Sequence, residues 1–448
     1  MVKIVDNNQS GWFGRLGSGA EASFKRSAHP LSQPLHPEAR AIPRFQGHVE
    51  AKRIGFFGFF GSGNFGNDGS LEVMVEFVKK ARPRADLLCI CDLPADVESR
   101  LGIRSIRINW RPESRFLRGL DRLVLNIPSK LASLVHAIRH VSRLDALIVP
   151  GTGILDDYGT GPQGMPQWLL RWCVLARIFG TKVIFVSVGA GPIHHPLSRW
   201  LMKTASRMAV YRSYRDNISK DYMSSIGVDV HNDPVYPDVA FALPQPLSLP
   251  QPCAEGDPIT VGLGIMSYNG WRGDKACDEA VYESYLHKLQ RFVCWLLAEG
   301  HRVRILMGDS YDQSTVEKLY QMIETDRSEP GRADVIAEPA YSLHEVMAQI
   351  AATDIVMATR FHNVVCALKL GRPTLSIGYA RKNDVLLDEM GLGEFCQHIE
   401  QLDVDVLIKQ FRKLTASRKT YERKICETNS IYADSLRHQY ALLLDKYL

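Results

Sequence analysis

The segment between Asp354 and Asp384 places the tightest limit on how this 448-residue chain can fold. A short apolar run, Ile355 to Ala358, predicts a buried strand, and a helical pattern then extends from about Asn363 to Gly371. A second apolar run, Thr374 to Tyr379, predicts another strand. Strand, helix and strand in this order form the unit of a parallel sheet, so the segment favours an α/β fold.

The same alternation of strands and helices continues through most of the chain. Before residue 243, predicted strands alternate with helices over residues 70–81, 163–179 and 198–207, and a short strand is predicted over 208–211. After residue 258, further strands alternate with helices over residues 279–299 and 342–351. Successive strand–helix–strand units of this kind predict two Rossmann-like halves with a cleft between them.

Composition divides the chain further. Residues 1–50 are rich in Gly, Ser, Pro and His and predict a flexible tail. Residues 243–258 contain five prolines, which indicate a linker over residues 246–257. The predicted domains are therefore an N-terminal Rossmann-like domain over 51–245, a C-terminal one over 258–398, and C-terminal helices over 399–448.

Overall composition narrows the class of protein. The chain is 45% hydrophobic and 23% charged, with a net charge of +5, which is too weakly basic to indicate nucleic-acid binding. The nine cysteines are scattered and contain no C-x-x-C or zinc spacing, so no metal site is predicted. Reduced thiols, the lack of a secretory signal and the lack of a long apolar run predict a cytoplasmic protein.

Polar residues follow the first strand of the opening segment. Arg360 and His362 come directly after Ala358 and Thr359, where the strand ends and the helix begins, and Asn363 is the next candidate for ligand binding. Ligands of open α/β sheets bind at this edge, and a helix N-terminus favours anions. A fixed cation beside an imidazole there predicts anion binding combined with proton transfer.

The segment GFFGSGNFGNDGSL forms a Gly-rich connection between a strand and a helix. Gly63 and Gly66 allow backbone N–H groups to approach a ligand closely. Asn64 and Asp68 are the polar side chains available there, and Asp68 is as suited to capping the helix as to catalysis.

Two further Gly-rich turns and one basic residue belong to the same predicted sheet edge. Gly151 and Gly153 lie in GTGILDD, and residues 187–192 form SVGAGP. In YRSYRDNIS, either Arg215 points into the cleft while Asp216 caps a helix, or the two residues pair with each other at the surface. A large ligand in the cleft explains three such turns, although tight packing of neighbouring elements explains them equally well.

A run of arginines stands apart from these motifs. Spacings of three to four residues predict one face of a helix, which is usually solvated but alternatively attracts an anionic membrane surface or a pyrophosphate-linked acceptor. The run consists of Arg100, Arg104, Arg107, Arg111, Arg115, Arg118 and Arg122.

Taken together, these segments resemble the polysaccharide pyruvyl transferase family over about residues 53–395. The matching sequences, in the order of the family, are GFFGSGNFGNDGSL, GTGILDD, SVGAGP, YRSYRDNIS, DPVYPDVAFAL and ATRFHNVVCALKLGRPTLSIGYARKND. The resemblance implies a GT-B-like fold and transfer of pyruvate from phosphoenolpyruvate to a sugar or lipid-linked oligosaccharide, as a ketal, with release of phosphate. It implies no cofactor. The sequence predicts a cytoplasmic protein, with peripheral contact at the inner face of the cell membrane as an open alternative.

The family's site residues transfer to this chain one by one. Its arginine and histidine after the strand match Arg360 and His362, with Lys382 downstream. Its mid-chain arginine matches Arg215 best, and Arg212 close by is the alternative. These residues would bind the two anionic groups of the donor, and His362 would act as the acid or the phosphate partner. The family motif Gly-Asn-x-Gly-Asp falls on residues 63–67, but Asn67 occupies the acid position and Asp68, a candidate base, comes one later.

Two other functions fit the same pattern. A GT-B glycosyltransferase would use a nucleotide sugar and need a nucleotide-binding carboxylate in the second half, for which Glu345 and Asp384 are candidates. A non-catalytic polysaccharide-assembly protein would account for the missing acid at Asn67.

Overall fold

Two parallel six-stranded sheets form the framework of the protein. The computed structural model describes residues 51–448 except residues 158–159, 247–257, 271–274 and 327–333 and positions 113, 115, 117, 118, 120, 122, 123 and 125. The predicted tail and nearly all of the predicted linker lie outside these residues. Within the described residues, no helix is long and apolar enough to cross a bilayer.

The first sheet has the strand order β3-β2-β1-β4-β5-β6. Its elements are β1 (Arg53–Phe57), α1 (Phe65–Ala81), β2 (Asp86–Cys91), α2 (Pro94–Leu101), β3 (Arg104–Arg107), α3 (Ile127–Val141), β4 (Ala146–Pro150), α4 (Met165–Ile178), β5 (Lys182–Val188), α5 (Pro196–Arg207), β6 (Tyr211–Tyr214) and α6 (Asn217–Ser225). This is the Rossmann order, whose topological switch point lies between β1 and β4.

The second sheet has the order β9-β8-β7-β10-β11-β12, which repeats the topology of the first. Its elements are β7 (Thr260–Gly264), α7 (Lys275–Ala298), β8 (Arg302–Leu306), α8 (Gln313–Asp326), β9 (Val335–Ala337), α9 (Leu343–Ala351), β10 (Ile355–Ala358), α10 (Phe361–Lys369), β11 (Thr374–Gly378), α11 (Arg381–Glu389) and β12 (Cys396–His398). The predicted pair of Rossmann-like halves is therefore confirmed.

Two predictions between β2 and β6 are wrong. The arginine run does not form one helical face, because Gly102 adopts a left-handed φ of 61° and ends α2, after which Arg104 and Arg107 belong to β3. The short strand predicted over residues 208–211 lies three residues later, because Met208 still closes α5 and pairing with β5 begins at Tyr211.

The chain ends in α12 (Val404–Ala416) and α13 (Arg418–Lys446), and α13 contacts both halves. Near its middle, the amide of Asn429 donates to the carbonyl of Leu368 on α10 (2.8 Å). Near its end, the buried amide of Gln439 donates to the hydroxyl of Ser213 on β6 (2.8 Å), and Tyr440 stacks on Phe77 of α1. The last helix therefore joins the second sheet to the first.

A short 3₁₀ turn, Val239–Ala242, packs against α10 and α13 where the chain leaves the first half. The ammonium of Lys369 on α10 donates to the carbonyl of Phe241 (2.5 Å), and the ring of Tyr432 on α13 meets the Phe241 ring edge-on. The turn, the end of α10 and the middle of α13 form one packed unit, which we call the junction.

A second contact between the halves involves His344 on α9 and Glu72 on α1, whose Nε2 and Oε1 atoms are 2.6 Å apart. The hydrogen bond with Glu72 raises the pKa of His344 above its ordinary 6.5, although burial opposes this. The stabilisation is fully present below pH 6.5 and is lost as the pH rises through the raised pKa. Because the pair is partly exposed, we expect the free energy of unfolding to fall by no more than about 1 kcal/mol.

Urea unfolding at a series of pH values would measure this loss. The variant His344→Gln should lack the fall, whereas His287→Gln, which changes an exposed histidine of α7, should retain it. Identical pH curves for the wild type and His344→Gln would contradict the prediction.

Candidate active site

A cavity of about 1260 Å³ lies between the two sheets. The residues that line it follow strands of both halves: Asn64 follows β1, Gly153 follows β4, Arg215 follows β6, Arg360 follows β10 and Tyr379 follows β11. Since all strands within each sheet are parallel, their carboxyl ends bring these side chains together. The cavity is therefore at the sheet edge that the sequence predicted for ligand binding.

Arg360 stands at the N-cap of α10 and is held by a buried carboxylate. Its Nε and Nη2 donate to the two oxygens of the fully buried Asp312, at 2.9 and 2.6 Å. Its Nη1 lies 3.5 Å from the carboxylate of Asp309. The bidentate face of Arg360 is thus already occupied, and its contribution to the cavity is a fixed positive charge.

Arg215 enters the cavity from the first half and crosses to the second. Its guanidinium carbon lies 4.4 Å from the ring centroid of Phe361 on α10, and its Nη1 donates to Asp238 (3.3 Å). Its Nε is buried, has no hydrogen-bond partner among the described residues, and lies 3.5 Å from Asp216 Oδ2. Gly189 gives the guanidinium room, because a Cβ there would lie 2.7 Å from it.

Lys382 at the start of α11 provides a third positive charge, and we call Arg215, Arg360 and Lys382 the cation cluster. The ammonium of Lys382 donates to the hydroxyl of Tyr379 (2.7 Å) and lies 5.6 Å from the Phe361 ring centroid. Burial alone would raise the pKa of Tyr379, but the cation cluster outweighs burial and lowers that pKa. The lowered phenol pKa indicates a positive potential at this wall.

The three residues of the cation cluster surround His362. Its side chain is 15% exposed, and its Nε2 lies 3.9 Å from the carboxylate of Asp238, without a hydrogen-bond partner among the described residues. Burial lowers the pKa of His362 to about 4; Asp238 opposes this shift and the cation cluster adds to it. The imidazole is therefore neutral at neutral pH, and an anion bound beside it would raise its pKa.

The Gly-rich segment after β1 fits against the second half. Asn64 caps α1 through its Oδ1, while its Nδ2 donates to Asp309 (3.1 Å). Gly63 has a φ of 90°, and a Cβ there would lie 2.0 Å from the hydroxyl oxygen of Ser310. A Cβ on Gly66 would lie 1.8 Å from Nδ1 of His362, so this glycine leaves the space that the imidazole ring fills.

Asp68 does not belong to the cavity lining. One carboxylate oxygen accepts the amide of Gly61 (2.8 Å) and the other pairs with Arg100 (3.0 Å), so Asp68 braces the Gly-rich turn. Asn67 lines the cavity instead, and its amide donates to the carbonyl of Phe59. The position where the family has an acid therefore faces the cavity in this chain but carries an amide.

The three remaining residues predicted to bind a ligand, Gly151, Gly153 and Asn363, differ in whether they line the cavity. Gly153 lines the cavity, where a Cβ would be 3.6 Å from Asp156 Oδ2 and 3.9 Å from Arg215 Nη2. Gly151 packs against Val239 of the 3₁₀ turn. Asn363 is fully buried behind the cavity wall, against Gly264 and Gly308, and is not part of the lining.

Sequence reasoning missed the carboxylates that organise this site. Asp238 and Asp312 are buried and hold Arg215 and Arg360, while Asp156 and Asp157 line the cavity. Asp157 accepts the backbone amides of His194 and His195, which fixes the loop after β5. The visible signals were the two consecutive acids after a Gly-rich turn and Asp238 within the quoted motif DPVYPDVAFAL. Among the described residues, no group of three or more His, Cys, Asp or Glu side chains could hold a metal ion.

Several solved structures share this fold at low sequence identity. The glycosyltransferase from Rickettsia africae ESF-5 is 10% identical with a TM-score of 0.54, covering 89% of this chain and 98% of its own. UDP-GlcNAc 2-epimerase from Methanocaldococcus jannaschii is 10% identical with a TM-score of 0.53, covering 81% and 92%. The Neisseria meningitidis UDP-GlcNAc 2-epimerase bound to UDP-GlcNAc is 12% identical with a TM-score of 0.51, covering 86% and 100%. These similarities establish the fold, which is GT-B-like.

The sequence identifies the family within this fold. The sequence model of the polysaccharide pyruvyl transferases matches residues 64–381, which is most of the chain. The protein therefore belongs to the polysaccharide pyruvyl transferase family, as its motifs predicted. No curated protein matches the chain.

Proposed function

We propose that the protein transfers pyruvate from phosphoenolpyruvate to a sugar of an exopolysaccharide or cell-surface glycan, forming a ketal and releasing phosphate. The observation that carries this proposal is the cation cluster around His362 at the cleft. Phosphoenolpyruvate carries a carboxylate and a phosphate, and two separated anionic groups need several cations on one wall. Membership of the family supports the same donor.

The proposed reaction conserves atoms and charge. The methylene carbon of the donor gains a proton, two sugar hydroxyl oxygens bond to the neighbouring carbon, and the bond from that carbon to the phosphate oxygen breaks. One hydroxyl proton ends in the new methyl group and the other on the released phosphate. The chain must therefore deliver one proton to carbon and accept protons from the acceptor.

His362 is our candidate for the proton delivered to carbon. Burial and the cation cluster together keep the imidazole neutral; the bound donor would offset those positive charges, and Asp238 would stabilise the imidazolium. Asp156 is our candidate base for a sugar hydroxyl, since its carboxylate lines the cavity beside Arg215. Asp68, whose oxygens bind Gly61 and Arg100, is not part of this scheme.

The same experiments test two alternative functions. Use of a nucleotide sugar is favoured by the fold shared with an epimerase bound to UDP-GlcNAc. Of the predicted carboxylates for that role, Asp384 lines the cavity and Glu345 accepts the amide of Tyr341 near the beginning of α9. A role in polysaccharide assembly without catalysis is favoured by Asn67 at the acid position of the family.

Donor binding separates these functions, and Lys382→Ala is the most informative variant. Unlike Arg215 and Arg360, Lys382 hydrogen-bonds a phenol and not a buried carboxylate. Loss of one charge-assisted contact is expected to weaken phosphoenolpyruvate binding roughly tenfold to hundredfold. Calorimetry would compare phosphoenolpyruvate with a panel of nucleotide sugars, using Arg423→Ala on the exposed face of α13 as the control.

Each outcome has a clear meaning. Binding of phosphoenolpyruvate that weakens in Lys382→Ala and not in Arg423→Ala supports pyruvyl transfer. Binding of a nucleotide sugar alone overturns it in favour of glycosyl transfer. If neither binds in the presence or absence of a sugar acceptor, the assembly role becomes the better account.

A further inference from the structure

Helix α3 exposes a stripe of large apolar side chains. Ile127, Leu131, Leu134 and Val135 are 52%, 59%, 38% and 64% exposed. Their spacing of i, i+4, i+7 and i+8 places them on one face of the helix. Isolated exposed apolar residues are ordinary, but a continuous stripe on one helix marks an interaction surface.

The opposite face of α3 anchors the helix to the first half. Ser133, Ala137 and Val141 are buried, and the helix packs on α4. The hydroxyl of Ser133 donates to the carbonyl of Trp110 (3.2 Å), so Trp110, 42% exposed, lies beside the helix. The stripe therefore belongs to a packed helix.

The sequence around the stripe is strongly basic. Residues 104–143 contain nine Arg and Lys residues and two acidic residues, a net charge of +7 in a chain whose total is +5. Of the two acids, Asp121 is buried and accepts the amide of Ser129, and Glu113 lies outside the described residues. The basic residues of this segment that the structure describes are all exposed: Arg104, Arg107, Arg111, Lys130, Arg139 and Arg143.

We propose that the apolar stripe of α3 and the basic residues around it dock the protein on an anionic lipid bilayer. Apolar side chains on a basic helix insert into the interface while cations meet the headgroups. A second copy of the chain would bring two surfaces of the same charge together, which disfavours a symmetric dimer there. Nucleic acid would satisfy the charge and leave the stripe in water.

This surface and the active-site cleft lie at the same edge of the first sheet. The segment follows the carboxyl end of β3, the edge of the sheet where the cavity lies. Helix α4 begins at Met165 in the cavity lining and packs against α3. A docked enzyme would hold its cleft near the membrane surface, where a lipid-linked sugar would be found; this last step rests on the proposed function, whereas docking itself does not.

Vesicle co-sedimentation of the full chain tests the proposal. We expect binding to phosphatidylcholine vesicles that contain phosphatidylglycerol, and much weaker binding to phosphatidylcholine alone. The double variant Leu131→Ser, Val135→Ser should bind about tenfold more weakly. The control is Ile431→Ser on α13, where an apolar residue is 65% exposed.

A second pair of variants tests the charge. Lys130→Glu with Arg139→Glu should weaken binding, and Arg423→Glu with Arg437→Glu on α13 changes the net charge equally but should not. Equal binding to both kinds of vesicle, no binding, or equal losses in test and control variants would overturn the proposal. A wild-type dimer that dissociates in the double serine variant would instead assign the stripe to self-association.

A separate assay keeps this result distinct from the proposed reaction. Transfer from phosphoenolpyruvate to a water-soluble sugar acceptor should be unchanged in the double serine variant. Lost vesicle binding with intact transfer supports docking, whereas vesicle binding without any transfer leaves docking in place and rejects the reaction.

Discussion

Replacing His362 with alanine is expected to lower kcat for pyruvyl transfer by a factor of about 10² to 10⁴, the usual contribution of a positioned acid. The imidazole is the titratable group that the cation cluster surrounds, and its Nε2 lies 3.9 Å from the carboxylate of Asp238. Steady-state kinetics would measure the loss, with His287→Ala on the exposed face of α7 as the control. Donor binding should change far less than kcat if His362 acts chiefly in the chemical step.

The protonation of His362 gives this prediction a second readout. Burial lowers its pKa to about 4 in the free enzyme, so the ring is neutral at pH 7. The trianionic donor raises that pKa, so binding should take up a proton between the free and bound values. Calorimetry in two buffers with different ionisation enthalpies would detect the uptake, and it should disappear in His362→Ala.

Cells that carry His362→Ala separate an enzyme from an assembly protein. Unchanged pyruvylation of the polymer in those cells would exclude a catalytic role for this histidine. Loss of pyruvylation with normal polymer length and normal protein abundance would support it.

Replacing Gly66 with alanine is expected to lower kcat about a hundredfold, through displacement of the same ring. A Cβ on Gly66 would lie 1.8 Å from Nδ1 of His362, so the imidazole must move. A displacement of about 1 Å in a reacting group can reduce the rate by this factor. Folding should be retained, because Gly66 lies in α1 without a positive φ, and alanine favours helices.

Kinetics of a double variant would show whether the effect passes through His362. Gly66→Ala combined with His362→Ala should be no slower than His362→Ala alone, since both changes remove one function. The control is Gly119→Ala, where an added Cβ meets nothing within 4 Å. Additive losses in the double variant would show that Gly66 acts on something other than the imidazole.

Much of the fold follows from local pattern. The strand Ile355–Ala358 was predicted with its observed bounds, because a fully buried strand is a continuous apolar run between polar residues. The strand Arg104–Arg107 was missed, because a short edge strand with an arginine at each end resembles a polar helix in spacing. The two Rossmann-like halves were accessible through the repeated strand–helix–strand units.

The site was harder to predict from the sequence than the fold, for two physical reasons. Asp238 and Asp312 meet Arg215 and Arg360 only after distant segments fold together, so no local pattern connects them. Asp68 and Asn67 differ by one helical step of about 100°, which decides whether a side chain faces the cavity or Arg100. A sequence motif predicts which turn of a helix a residue occupies, but it does not predict which face of the helix its side chain lies on.

Opening of the cleft about the junction would change the surroundings of His362. The 3₁₀ turn is capped by Asp238, and α10, which it contacts, carries His362 in its first turn. A rotation that opens the cleft about the junction would therefore change the hydration of that histidine. Water entering the cavity would relieve burial, and the proton affinity of the imidazole would rise towards its ordinary value. The pKa of His362, measured by NMR titration, would then report on cleft opening in solution.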